Sequence, residues 1–235
     1  MIKLSFVLLT ILMAVLLLLG LSKAASVVMP SDKHRRFTIQ ASLIVTGWLA
    51  YSTILSLAGV FTASSLRPRL PLLLVLPAFI FMAYFFNSQR FKHVIDATPL
   101  PWLTYTQSFR ILVELLLVSL YAENLLPREA TFEGYNFDII IGITALLVGY
   151  LGFAKKVFPR FVIVLWNFAG LCTLAIVVSI IMKHAYFPVS TSTESSNFSI
   201  SNFGTFPYTF LASFLMPMAV FMHVFSLVKI KRAKG

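Results

Sequence analysis

Long apolar runs alternate with short polar breaks along the whole chain. Seven windows, roughly 4–22, 37–61, 70–86, 100–122, 138–154, 161–182 and 207–228, are rich in Leu, Ile, Val and Phe. A helix needs about 20 such residues to cross the hydrocarbon core of a bilayer, and the fifth window is the shortest. Rings cluster near several ends, as in "YFFNSQRF" (84–91) and "TPLPWLTY" (98–105), where aromatic side chains favour the headgroup level. The pattern predicts an all-α, polytopic membrane protein with seven transmembrane helices, forming one domain over 1–235.

One window breaks the pattern. The stretch "TYTQSFRILVELLLVSLY" (104–121) carries Gln107, Arg110 and Glu114 where lipid favours hydrocarbon. Their spacings of three and four place them along one helical face, opposite Leu112, Leu115 and Leu116. A charge at the bilayer centre costs about 2.5–3.5 kcal/mol on insertion scales. Two charges on one face therefore imply mutual pairing, enclosure by other helices, or water. Arg110 and Glu114 stand in an i, i+4 relation and can partly neutralise each other, although the Arg-first order is the weaker one.

Composition sharpens this reading. Apolar residues make up 59% of the chain and charged residues 11%, with a mean hydropathy of +0.89. A soluble domain carries about 25% charged residues. The formal net charge of +11 does not point to nucleic acid, because the basic residues sit in short breaks rather than on one long patch. With the breaks after windows one, three, five and seven taken as one side, 13 of the 19 basic residues fall there. The positive-inside rule then places the N-terminus outside and "KIKRAKG" in the cytoplasm.

The first window also resembles a secretory signal, with a basic start and small residues near its end. Its apolar stretch is longer than a signal core, and cleavage would invert the basic bias of every later break. A retained span is expected. Pro77 and Pro217 occupy matching positions in the third and seventh windows, so a parallel 3 + 1 + 3 repeat is allowed topologically, with each proline kinking its helix. "NFS" at Asn197, in the Ser/Thr-rich stretch 183–206, fits a glycosylation acceptor pattern.

Motifs exclude several chemistries. Cys172 is the single cysteine, and His34, His93, His184 and His223 are isolated, without metal-ligand spacing. No cofactor motif, P-loop or GxSxG occurs, and the last window has no lysine for a retinal Schiff base. No metal and no cofactor are expected.

The depth of each polar residue predicts a cluster. Gln40, Gln107, Asn167 and His223 lie within about two turns of the cytoplasmic boundary, with Arg110 and Glu114 one to two turns deeper. The expectation is a polar cavity between helices two, four, six and seven, opening to the cytoplasm. Gln40 and Asn167 also have a plain role as interhelical glue. For His223 a satisfied interfacial role is favoured over proton carriage. The outer segment "ENLLPREATFEGYNFD" (123–138) forms a second group, read foremost as an acidic solvated loop with aromatic anchors, with Glu133 and Asp138 as the alternative acceptors for cations or amines, and Asn136 and Asp138 as caps of the fifth helix.

The segment 107–142, through Gln107, Arg110, Glu114 and "TFEGYNFD", resembles stretches of uncharacterised bacterial multi-span integral membrane proteins. That resemblance implies a bacterial cytoplasmic membrane and brings no activity. Three function classes follow. The first is transport or sensing of a small solute or ion, with Arg110 and Glu114 as the binding pair and Gln107, Asn167 and His223 orienting water or ligand. The second is a non-catalytic subunit or assembly factor that meets a partner membrane protein. The third is an intramembrane enzyme using Glu114 and His223 as acid and base.

Overall fold

The computed structural model describes residues 1–62, 69–186 and 204–232, and the Asn197 pattern lies outside them. Every regular element among these residues is helical. The helices are α1 (Ile2–Val28), α2 (Ser31–Leu57), α3 (Pro71–Asn87), α4 (Gln89–Ala97), α5 (Leu100–Ala122), α6 (Asp138–Ala154), α7 (Arg160–Tyr186) and α8 (Leu211–Arg232). Five of them (α1, α2, α5, α7 and α8) are long and apolar enough to cross a membrane. The number rises to 6 if α3 and α4, bent by 69° at their junction, form one span. Helix α6 is apolar but shorter.

The first two helices join through a tight turn at Met29 and Pro30, where Pro30 cannot continue α1 and precedes the first residue of α2. Ser22 of α1 lies 3.0 Å from the His34 ring and 3.1 Å from Thr38 of α2, which fixes their crossing. Helix α1 is an integral wall of the core, with Phe6, Met13, Ala24 and Ala25 buried. Phe6 meets the Tyr208 ring edge-on at 5.3 Å. Helix α2 is peripheral and leaves Leu43, Ile44, Ile54 and Leu57 exposed.

Prolines shape α3 and α8 by one shared device. Each helix opens with a single π turn, at Pro71–Val75 and at Leu211–Leu215, and each turn is followed closely by a proline, Pro77 or Pro217. Proline has no N–H for the carbonyl four residues back, so Leu73 and Ser213 lose their helical donors. Two side chains of α2 take those places. Trp48 Nε1 donates to the Ser213 carbonyl at 2.8 Å, and the Tyr51 hydroxyl donates to the Leu73 carbonyl at 3.4 Å. Trp48 and Tyr51 are three residues apart, so one face of α2 serves both helices. A π turn thus precedes each proline, and a side chain of α2 donates to the carbonyl four residues before it.

Where the interior of a membrane is as apolar as a side chain, helices associate through close packing and interhelical hydrogen bonds. Gly142 of α6 shows the first. A Cβ there would lie 2.9 Å from the Ile111 backbone nitrogen, so the missing side chain lets the α5 backbone approach. The hydrogen bonds are concentrated around Arg110.

Candidate functional site

Helix α5 is tightened where its polar residues begin. Gln107 N–H bonds to the Thr104 carbonyl, Ser108 to Tyr105, Arg110 to Gln107 and Ile111 to Ser108, all across three residues at 3.1–3.2 Å. In such a turn side chains at i and i+3 eclipse, which aligns Gln107 and Arg110 on the side of α8. Gln107 Nε2 donates to the Ala219 carbonyl at 2.9 Å. The far face of α5 is apolar as expected, with Leu112 and Leu115 exposed.

Arg110 is 1% exposed and joins three other helices. Its guanidinium forms an ion pair with Asp138 at the start of α6. It donates to Thr173 Oγ1 of α7 at 2.7 Å and to the Gly170 carbonyl at 3.3 Å. It also meets His223 Nε2 of α8 at 3.0 Å. A guanidinium carries only donors, so His223 Nε2 accepts, and its proton therefore sits on Nδ1. That Nδ1–H faces Asn167 Oδ1 at 2.9 Å, and Asn167 Nδ2 donates onward to the Ile163 carbonyl at 2.8 Å and to Ser226 Oγ at 3.1 Å. The chain of bonds thus fixes the neutral ring's tautomer and the amide's orientation together.

Close approach at His223 depends on Gly170. A Cβ there would overlap His223 Nε2, so any larger residue would displace the ring that Arg110 uses.

Glu114, one turn along α5, is fully buried. Of the options open to Arg110 and Glu114, enclosure by other elements is the one observed: each group has hydrogen-bond partners other than its neighbour on α5. Glu114 Oε1 accepts the Phe132 backbone N–H at 2.6 Å, and Oε2 accepts from Asn136 Nδ2. The physical reason is that the segment 123–137 folds inward instead of standing off as a solvated loop. Leu126, Ala130 and Thr131 are buried beneath it, and the Tyr135 N–H bonds back to the Glu129 carbonyl at 3.1 Å. Asn136 Nδ2 also donates to the Ala130 carbonyl at 3.1 Å, while its Oδ1 accepts the Asp138 N–H at 2.9 Å. Asn136 thus satisfies a free amide at the opening of α6, as its residue type suggests, and links Asp138 to Glu114.

The two predicted groups therefore become one. Gln107, Arg110, Glu114, Asn167 and His223 are buried with Asn136 and Asp138 in a single polar array across α5, α6, α7, α8 and the 123–137 segment. The fifth predicted span takes part and the second does not. Gln40 lies outside: it is exposed on α2 and accepts from Arg90 Nη2 at 2.7 Å, because the peripheral position of α2 turns it away from the core. Glu133 is exposed as well, with Arg128 at 3.8 Å. Glu114 and His223 have separate sets of partners, with no hydrogen bond joining them.

A cavity of about 140 Å³ adjoins the array. Arg110 and Asp138 are the charged residues of its wall; the rest is apolar, including Val113, Leu174, Leu211 and Ala219. Both π turns border it, through Pro71 and Val75 on α3 and through Leu211, Ala212 and Leu215 on α8. These residues come from the halves of α3, α7 and α8 nearest the 123–137 segment. The hollow therefore lies on the opposite side of Arg110 from Asn167 and Ser226, against the expected opening at the other end. Arg110 Nε and Gln107 Oε1 are buried with no hydrogen-bond partner.

Thr173, Ser226 and the Gly170 carbonyl were not singled out by the sequence. Their signal is positional: Asn167, Gly170 and Thr173 recur every third residue on α7, and Ser226 stands three after His223 on α8. Among the described residues no group of His, Cys, Asp and Glu could hold a metal ion.

No curated protein and no solved structure matches the chain. Residues 67–231 match the family model described as a domain of unknown function (DUF8737). The matched stretch begins just ahead of α3, takes in every residue of the polar array, and leaves α1 and α2 outside. Because it covers well over half of the sequence, the chain belongs to the DUF8737 family.

Proposed function

We propose that this is a seven-span protein of the bacterial cytoplasmic membrane, with its N-terminus outside, that binds a small amphiphilic solute in transport or sensing. Seven spans count the bent α3–α4 pair as one crossing and the shorter α6 as another. The orientation rests on the excess of Lys and Arg in the breaks assigned to the cytoplasm. Retention of α1 is supported by its place in the core.

The observation that carries the ligand reading is an apolar hollow bordered by a single buried ion pair. Arg110 and Asp138 are its charged lining residues, and every other residue of the wall is apolar. The volume is near that of the engineered apolar cavity of about 150 Å³ that takes up benzene. The solute is therefore compact, with a body about the size of one ring and a hydrogen-bond acceptor at one end.

The bonds behind Arg110 supply a route for response. Asp138, Asn136 and Glu114 connect the guanidinium to the Phe132 amide, so a shift at the cavity wall is felt in the 123–137 segment. This coupling favours transport or sensing over the role of a subunit that only docks a partner membrane protein.

Thermal-shift titration of the purified protein with benzoate and with benzyl alcohol tests the reading. Saturable stabilisation by either probe, abolished by Ala212→Phe, which fills the cavity, is the expected result. No saturable shift from either probe, together with a higher Tm for Ala212→Phe alone, would overturn it.

A further inference from the structure

We propose a second binding site, for a phosphate-type anion, in the groove between the α3–α4 bend and the last turn of α8. The groove has a volume of about 550 Å³ and is lined by Asn87, Ser88, Gln89, Lys92, Asp96, Lys229 and Arg232. Three cations thus surround one carboxylate.

Arg232 is paired with Asp96, whereas Lys92 and Lys229 form no ion pair among the described residues. Arg232 Nη2 donates to the Phe86 carbonyl at 3.1 Å, one of the carbonyls freed where α3 ends. Its Nη1 lies 3.5 Å from Asp96 Oδ1 but has no hydrogen-bond partner. Lys229 Nζ donates to the Asp96 backbone carbonyl at 2.5 Å rather than to the carboxylate. The Ser88 side chain accepts the Arg90 N–H at 3.3 Å, which leaves its hydroxyl proton free to donate.

The bend itself creates the arrangement. A 69° turn between α3 and α4 carries Gln89 and Lys92 across from Lys229 and Arg232. Behind the groove, Phe85 stacks on Phe91 across the bend at 4.8 Å, and Phe86 of α3 stacks on Phe221 of α8 at 5.2 Å, joining the two walls. Aromatic rings packed next to a groove edged by Lys and Arg are the composition expected where a helix end meets lipid headgroups. A doubly charged tetrahedral oxyanion would match the excess of two cations, and the volume exceeds what a bare ion needs. The same chemistry can arrive on an anionic phospholipid or as a soluble phosphate.

The test uses the full chain reconstituted in phosphatidylcholine vesicles with and without phosphatidylglycerol, the latter also titrated with inorganic phosphate. Lys92→Gln is the chosen variant, since Lys92 has no ion-pair partner whose loss would disturb folding. Stabilisation by phosphatidylglycerol identifies the lipid source, and stabilisation by inorganic phosphate identifies the soluble one. In either case Lys92→Gln should weaken binding about fivefold, the equivalent of about 1 kcal/mol per basic residue at an anionic surface. No stabilisation from either source, or stabilisation that Lys92→Gln leaves unchanged, would overturn the proposal. The Tm of Lys92→Gln in phosphatidylcholine alone should equal that of the parent, which separates loss of binding from loss of fold.

Discussion

The indole nitrogen of Trp48 donates to the Ser213 carbonyl, the acceptor that Pro217 leaves without a helical donor. Two residues distant in sequence are thereby coupled through a third. Trp48→Phe keeps an aromatic ring and removes the donor, and interhelical bonds in membranes are worth about 0.6 kcal/mol on average. In a Pro217→Ala background the chain regains a backbone N–H at position 217, so the indole becomes partly redundant. Thermal melts of the parent, the two single variants and the double variant should show that Trp48→Phe lowers Tm less once the proline has been replaced. Equal losses in both backgrounds would show that the indole does not compensate for the proline.

Gly170 gives the second prediction. Gly170→Ala forces a methyl group onto the His223 ring, and overpacking of this kind costs about 1–3 kcal/mol. Gly47→Ala, on α2 with nothing within 4 Å of the added Cβ, should be neutral or slightly stabilising because alanine is the better helix former. A Tm lowered by the first and unchanged or raised by the second is the expected pair.

Arg110 and Asp138 give the third. Asp138→Ala leaves a buried guanidinium short of its counter-charge, and breaking a buried pair by removing one partner costs about 3–5 kcal/mol. The double variant Arg110→Met/Asp138→Leu removes both charges and should recover most of the lost stability, as measured by Tm in detergent. It should also abolish any saturable effect of benzoate, which separates the stability of the pair from its use.

Glu114 gives the fourth, read by hydrogen exchange. Glu114→Ala removes the acceptor of the Phe132 N–H and should speed exchange in peptides covering 129–136. Glu114→Gln retains one carbonyl oxygen for that N–H but sets its own NH2 against Asn136 Nδ2, so its effect should fall between parent and Ala. Unaltered exchange in the Ala variant would mean that the segment is held by Leu126 and Ala130 without the carboxylate.

Much of the array was legible because membrane sequences make polar residues conspicuous. Gln107, Arg110, Glu114, Asn167 and His223 stand out against leucine, and helical spacing puts the first three on one face. Pairing was not legible. Spacing along α5 allowed Arg110 to meet Glu114, whereas Arg110 reaches across to α6, α7 and α8. The in-folding of 123–137 was hidden for a related reason: its three carboxylates and one arginine read as a solvated loop, although Thr131 and Asn136 are buried within it. Gln40 misled in the opposite sense, since depth along a helix says nothing of which way the helix faces. The shared device at Pro77 and Pro217 was visible only as two prolines. The donors that complete it, Trp48 and Tyr51, gave no sign in the sequence of what they serve.

Those donors bear on where the folding unit ends. The stretch that matches the family starts at residue 67, yet two main-chain oxygens inside it depend on a helix that lies before it. A fragment cut at that boundary would leave the Ser213 and Leu73 carbonyls without these two donors, and would strip away the wall formed by Phe6 and Met13. In this chain the packed core reaches beyond the stretch by which its kinship is recognised.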